Sequence, residues 1–415
     1  MRKLLLMLLA FAPAMVLAQG FQVNVAGQKQ IGMGHTGTGL VQDGASIFFN
    51  PGAVAMLPEN SIQAGISPLF FKPAFQAAGS VNVAQSADKV ATPFSAYAVF
   101  GPKNSWWKAG LGVYTPFGGL VDWGNNWTGK YVLESLDLKA IYFQPTVSIR
   151  LAKWISVGGG FVYNHGTVNL TRAIPLANST GSDGQAQLKG SGHGTGFNLG
   201  VYLKPTDKFS IGVDYRSKVS TTINNGDAIF TVPASVQANF PQPNTFTATL
   251  PLAATTSVGL GYMPTSQWTI AVDANFVQWD VYKALAFDYA NNTATLQDTY
   301  SPRNYKNAFS IRGGLQYAGD AKHPNTIPKE LALRIGGGYA STPVQDGYVS
   351  PEVPDANRYF LTAGLGYKAT RNLTVDVSFE YEHLMTRTQT TIETQLSGTY
   401  KTNVYIPGIS LTYHW

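Results

Sequence analysis

The sequence predicts an all-β fold, a transmembrane antiparallel β-barrel of about 14 strands with its lumen plugged by an N-terminal segment. Three observations point there: an export leader, period-two alternation over almost the whole length, and a last strand that stops on Trp415.

The leader comes first. Arg2 and Lys3 precede the apolar run Leu4 to Phe11, and Val16-Leu17-Ala18 offers apolar and small residues at the usual cleavage positions. Residues 1–18 therefore read as a signal peptide cut before Gln19, because the run is too short to span a bilayer and no stop-transfer pattern follows. Its loss removes two positive charges, taking the formal net charge from +6 to +4. The basic residues are scattered singly, which excludes a nucleic-acid partner. Cysteine is absent, so neither disulfides nor thiolate metal sites brace this exported chain.

Residues 19–60 do not alternate. They are rich in small polar residues and glycine, including Gly27, Gly32, Gly34, Gly37, Gly39 and Gly44. A barrel of fourteen strands leaves a lumen wide enough to leak, and a compact piece folded inside would close it. The expected organisation is thus a signal peptide at 1–18, a hatch or plug at 19–60 and a barrel at 61–415.

Alternating segments follow near 61–71, 93–101, 107–115, 139–151, 154–165, 192–204, 208–217, 255–263, 267–279, 308–318, 330–341, 358–368, 372–384 and 403–415. Their number is even, as barrels of this kind require. Phe197, Leu199, Val201 and Leu203 oppose Asn198, Gly200, Tyr202 and Lys204. After a turn at Pro205-Thr206-Asp207, Phe209, Ile211, Val213 and Tyr215 oppose Ser210, Gly212, Asp214 and Arg216, which makes a hairpin. In the same way Leu373, Val375, Val377, Phe379 and Tyr381 oppose Thr374, Asp376, Ser378, Glu380 and Glu382. No stretch beyond the leader approaches the length of a membrane helix, and mean hydropathy is close to zero.

A water-soluble β-sandwich with its apolar face inward gives the same alternation. Two features favour the barrel. The apolar faces end in Tyr or Trp, as in Tyr163, Tyr215, Tyr262, Trp268, Tyr317, Tyr339, Tyr367 and Tyr381, as girdles at two bilayer interfaces require. The small face carries Gly158-Gly159-Gly160 and Gly336-Gly337-Gly338, which lets strands bend or leaves room in a lumen. The second feature is the end, Ile409-Ser410-Leu411-Thr412-Tyr413-His414-Trp415, an alternating strand closing on an aromatic residue, similar to the C-terminal signal read by the barrel-assembly machinery. The expected location is the outer membrane of a Gram-negative bacterium, among its lipids.

Motifs for chemistry dissolve on inspection. Gly32-Met33-Gly34-His35-Thr36-Gly37 matches the dinucleotide fingerprint by letter, but it neither follows a strand nor opens a helix. The six histidines (35, 165, 193, 323, 383 and 414) include no pair at ligand spacing, and no Gly-x-Ser-x-Gly elbow is present. No enzyme, metal or cofactor is expected; a barrel phospholipase would need a Ser/His pair on the outer face, and none can be placed.

Gly20-Phe21-Gln22-Val23-Asn24, then Gly37-Thr38-Gly39-Leu40 through Asp43-Gly44-Ala45-Ser46-Ile47-Phe48-Phe49-Asn50-Pro51, resemble the start of the FadL-type transporters of long-chain fatty acids and aromatic hydrocarbons. Gly196-Phe197-Asn198-Leu199-Gly200, Tyr215-Arg216-Ser217-Lys218, Tyr305-Lys306-Asn307, Ser341-Thr342-Pro343-Val344 and Pro354-Asp355 continue the likeness in order. The resemblance implies a plugged fourteen-stranded barrel, monomeric, that passes hydrophobic small molecules without an energy source. In it, Phe21, Phe48, Phe49, Asn50, Pro51 and Gly52 belong to the hatch, glycine standing where the family usually has alanine.

Ligand is expected to land on an apolar extracellular loop, enter a lumenal pocket and leave sideways into the membrane. Phe117, Leu120, Val121, Trp123, Trp127 and Tyr131 fall in a connection too long for a hairpin turn and are the landing-loop candidates; packing on one another over the barrel mouth is the other reading. The family implies basic residues for a carboxylate head group, matched by Lys306 and, where relatives carry arginine, by His165. Burying about fifteen methylenes yields on the order of 10 kcal/mol, at about 0.8 each. A charge-assisted hydrogen bond adds only about 1.5–3 kcal/mol, so the head group selects among ligands that the chain binds. The competing function is a porin-like or structural barrel whose plug is only a stopper.

Overall fold

The computed structural model describes residues 20–176, 181–320 and 326–415, so the leader lies outside the described residues. Twenty-one strand segments are present: β1 (Ser61–Ile66), β2 (Leu69–Ala77), β3 (Val83–Gln85), β4 (Val90–Ala91), β5 (Phe94–Phe100), β6 (Trp107–Asp122), β7 (Ser135–Ala152), β8 (Ile155–Ile174), β9 (Gly184–Thr206), β10 (Phe209–Arg216), β11 (Val219–Thr231), β12 (Thr245–Leu252), β13 (Thr255–Tyr262), β14 (Trp268–Val277), β15 (Ala284–Tyr289), β16 (Thr299–Pro302), β17 (Ala308–Ala318), β18 (Leu331–Ala340), β19 (Arg358–Lys368), β20 (Leu373–Thr390) and β21 (Ser397–His414). Several are halves of one strand interrupted by a short break; β10 and β11, for example, both pair with β9. Merged, they make 14 antiparallel strands closed where Ser61 meets His414 and Ile66 meets Ile409.

Every expected strand is found, and several run further. β6 continues to Asp122 and β9 begins at Gly184, well above the greasy band. Alternation of apolar and polar residues fades there because both faces meet water or loops, although the ladder persists.

The orientation of the faces rules out the sandwich. Leu361 is 68% exposed while Thr362 beside it is 3% exposed, and Leu199 is 52% against Asn198 at 0%. Apolar side chains thus point out to lipid and polar ones point in. Aromatic pairs bridge neighbouring strands outside, Tyr339 to Tyr359 at 5.0 Å and Tyr381 to Tyr405 at 5.3 Å at one rim, Trp268 to Tyr317 at 4.6 Å at the other. Tyr359 and Tyr367 stand eight residues apart on β19, about 27 Å along the strand at ~3.4 Å each, and tilt shortens that to the height of a bilayer band. Among the described residues no helix is long and apolar enough to cross a membrane.

One stretch of wall is not zipped. The β5–β6 ladder ends at Ser95–Tyr114, β4 pairs only with β2, and β6 beyond Pro116 pairs with β7 after a register shift and, among the other strands, with none, its free side bridged from inside by Gln22 at Phe117. Pro116 has no N–H to donate, which is why the ladder breaks at that point. From inside, Val23 N donates to Pro116 O at 2.8 Å and Gly118 N to Phe21 O at 3.0 Å.

Candidate functional site

Residues 20–60 contact inward-facing residues around much of the barrel. The segment has a helix Gln28–Gly32, a helical turn Ser46–Phe49 and a 3-10 turn Pro51–Met56. The inner wall opposite is largely glycine, and the chain backbones touch through it. A Cβ on Gly212 would stand 1.7 Å from Thr38 O, and one on Gly336 would stand 2.2 Å from Gly34 N. Glycine here serves close approach more than bending.

Polar bonds then fix the segment's position. Asn50 Nδ2 donates to Thr38 O (2.8 Å) and Val201 O (2.9 Å), while its Oδ1 accepts from Gly52 N (2.9 Å). Asp273 Oδ2 accepts from Gly37 N and Thr38 N, each at 2.9 Å. His35 Nε2 meets Glu380 Oε1 at 2.8 Å, and Gly20 N donates to Asp355 Oδ2 at 3.1 Å. Phe21, Phe48, Phe49, Asn50, Pro51 and Gly52 are all buried in this contact. At Gly52 an added methyl would lie 2.7 Å from Gly200 O, so glycine gives the turn room that alanine lacks.

Beside this segment lies a cavity of about 70 Å³ with a lining that is almost wholly apolar. Phe21, Phe117, Leu138, Leu170, Leu250 and Phe287 form its walls. Its polar end holds Arg303, whose Nη2 reaches Glu352 Oε1 at 3.2 Å and whose Nη1 donates to Ser301 Oγ at 2.6 Å. Burial, the largest single influence, opposes charge on Arg303, but the Glu352 carboxylate together with Tyr282 and Tyr305 holds the guanidinium pKa above its ordinary range. A second cavity, between loops at the long-connection rim, shares Leu170, Leu285, Phe287, Arg303, Ser350 and Glu352 with the first. A third follows the unzipped wall between Val23, Leu69, Phe71, Phe94 and Leu120. Among the described residues no group of three metal-ligating side chains exists.

A family profile for outer membrane protein transport proteins (OMPP1/FadL/TodX) matches residues 9–415. The chain belongs to that family. Its relatives include a long-chain fatty acid transport protein of Salmonella typhi, 23% identical over 90% of this chain and 91% of its own length. A 47 kDa outer membrane protein of Pasteurella multocida is 22% identical over 96% of this chain and 94% of its own. Among solved structures, a Pseudomonas aeruginosa FadL homologue superposes with a TM-score of 0.83 at 18% identity, covering 95% of this chain and 99% of that one. The P. putida toluene transporter TodX gives 0.72 at 15% identity, covering 97% and 99%. These structural likenesses carry the fold.

In this FadL-type barrel the head-group candidates do not meet. His165 lies on the outer face opposite His193, because the buried Asn164 next to it takes the inward position and donates to Thr221 Oγ1 at 2.6 Å. With a side-chain period of two, the two neighbours cannot both face the lumen. Lys306 is exposed in an open polar hollow with Asp280, Lys283 and Gln345, away from the apolar cavity. The buried cation at the cavity is Arg303, three residues earlier; Lys139 also lines it but is largely exposed and paired with Asp137. Nothing in the sequence separates Lys306 from Arg303, since the backbone between them turns through Asn304 at φ 46°.

The landing-loop candidates divide as well. Phe117, Leu120 and Val121 belong to strand β6, so the connection is shorter than expected. Trp123 and Trp127 are buried and stacked at 4.7 Å, with Trp123 Nε1 donating to Pro351 O (3.1 Å) and Trp127 Nε1 to Leu133 O (2.8 Å). They form a packed roof over the mouth, because indole N–H groups this close to backbone carbonyls gain more by folding inward than by facing water. Only Tyr131 stays exposed, donating to Asp183 Oδ1 at 2.9 Å under Lys130. Hydrogen bonds from Lys130 and then Tyr131 hold the Asp183 carboxyl below its ordinary range.

Proposed function

We propose that this outer-membrane protein takes up elongated hydrophobic molecules passively, long-chain fatty acids foremost. The observation that carries the reading is the apolar cavity with Arg303 at its polar end. An alkyl chain of about fifteen methylenes buried along this cavity and the two that adjoin it gains on the order of 10 kcal/mol before ordering costs, and the guanidinium selects a carboxylate. Ligand enters past Tyr131 and Arg172 at the outer rim, and residues 20–60 act as the hatch. Exit is sideways through the unzipped wall between β4 and β6, where Phe21 and Val23 cover the gap. The relatives named for long-chain fatty acid transport support the carboxylate; the toluene transporter supports aromatic hydrocarbons, for which Phe117, Phe287 and Tyr282 offer ring contacts. Assembly through the barrel-assembly machinery and a monomeric state complete the proposal.

The test is uptake by proteoliposomes and by a deletion strain carrying the gene. Long-chain fatty acids or alkyl-aromatic compounds should enter faster with the protein than without it. If neither does while small sugars pass, the chain is a porin-like barrel and the proposal fails.

A further inference from the structure

Glu352 lines three cavities at once: the apolar cavity, the outer vestibule above it, and a deeper cavity beside His35, Arg358, Glu380 and Glu382. With Arg303 and Ser350 it makes up the polar lining that vestibule and apolar cavity share, and both charged side chains are 9% exposed. We propose that the Arg303–Glu352 pair is a gate opened by exchange of carboxylates, in which the head group of an entering amphiphile displaces Glu352 from Arg303. This rests on the uptake of hydrophobic molecules proposed above and adds what admits them.

Three features make the pair displaceable. The contact is single, Nη2 to Oε1 at 3.2 Å, and the other oxygen of Glu352 is buried with no hydrogen-bond partner. A carboxylate on a flexible ligand can instead meet the guanidinium with two parallel bonds, a stronger and shorter arrangement. Arg303 is anchored independently of Glu352, through Ser301 Oγ at 2.6 Å and its own backbone N–H to Lys283 O at 2.7 Å, so it stays in place when its partner leaves. The displaced Glu352 has somewhere to go, since it already borders the deeper, more polar cavity, where it would join Asp355 and Glu382 around Arg358. At Arg303 one carboxylate replaces another, so the buried guanidinium never stands unpaired, which would be costly. A neutral molecule of the same length brings no replacement anion, so for it the gate stays shut most of the time.

The prediction is kinetic. In liposomes holding the full-length protein with its tryptophans other than Trp279 replaced by phenylalanine, stopped-flow quenching by a bromo-labelled long-chain acid and the alcohol of equal length reports arrival near buried Trp279, which lies 5.9 Å from the cavity residue Phe117 by ring centroids. The wild type should admit the acid roughly tenfold faster than the alcohol, the equivalent of about 1.4 kcal/mol. In Glu352→Gln the acid-to-alcohol ratio should collapse toward one because the alcohol speeds up. The double variant Arg303→Met, Glu352→Met should admit both alike, and its unheated gel mobility checks that the barrel has formed. If both ligands bind and the ratio in Glu352→Gln equals that of the wild type, the gate is wrong. If neither ligand reaches the cavity of the wild type, it is the uptake reading that fails.

Discussion

Replacing Gly212 with alanine tests how the N-terminal segment is held. The added methyl would stand 1.7 Å from Thr38 O, 2.5 Å from its carbonyl carbon and 2.7 Å from Asn50 Nδ2. Gly212 lies in β10, held on both sides by β9 and β13, so the strand cannot retreat and the segment inside must. Reaching an ordinary contact near 3.4 Å requires a shift of about 1.7 Å. That strains three bonds together: Asn50 Nδ2 to Thr38 O at 2.8 Å, Thr38 N to Asp273 Oδ2 at 2.9 Å, and Ser210 Oγ to Gly39 O at 2.6 Å. At about 1 kcal/mol net each, their loss is about 3 kcal/mol, roughly a hundredfold larger population with the segment displaced. Hydrogen exchange at Gly37 and Thr38 reads that population directly, and conductance across a planar bilayer reads the leak. Gly313→Ala is the control, since its methyl would meet nothing nearer than Ala271 O at 3.9 Å. Wild-type exchange and conductance in Gly212→Ala would show that backbone contact through the glycine wall does not hold the segment.

Further perturbations address the mouth and the cavity. Trp127→Ala removes a ring stacked on Trp123 and edge-on to Phe75, a loss of about 3–5 kcal/mol, and should expose 123–134 to limited proteolysis while the barrel stays resistant. The Asp183 tie behaves by its sign: a depressed folded pKa stabilises above the ordinary aspartate range and is lost as pH falls through the folded value. Amide protection at Lys130–Leu133 should therefore hold from neutrality down to about pH 4 and drop below it, a drop absent in Asp183→Asn. Arg303→Met should weaken binding of a long-chain acid several-fold and spare the alcohol, whereas Lys306→Ala should change neither in equilibrium titrations, because Lys306 lies outside the apolar cavity.

The sequence by itself determined the barrel. Period-two alternation, an even number of segments and the final Trp415 are local patterns, and each survives without knowledge of any neighbour. It also marked residues 19–60 as something other than strand, from glycines that no alternating face needs. Only the tertiary structure decided what those glycines meet, since Gly212 and Thr38 are far apart in the chain and touch through a closed wall. The same holds for the site. His165 and Asn164 differ by one position, yet one faces outward and the other the cavity, a parity set by register against β7 and β9. Lys306 and Arg303 share one turn, and the left-handed residue between them sends the arginine to the cavity and the lysine to water. For Trp123 and Trp127 the sequence left both an exposed landing surface and mutual packing over the mouth open, and the carbonyls of Pro351 and Leu133 supply the partners that let them fold in. Local chemistry fixes which side chains a strand offers; closure of the barrel fixes which of them share a space, and that is a matter of residues hundreds of positions apart.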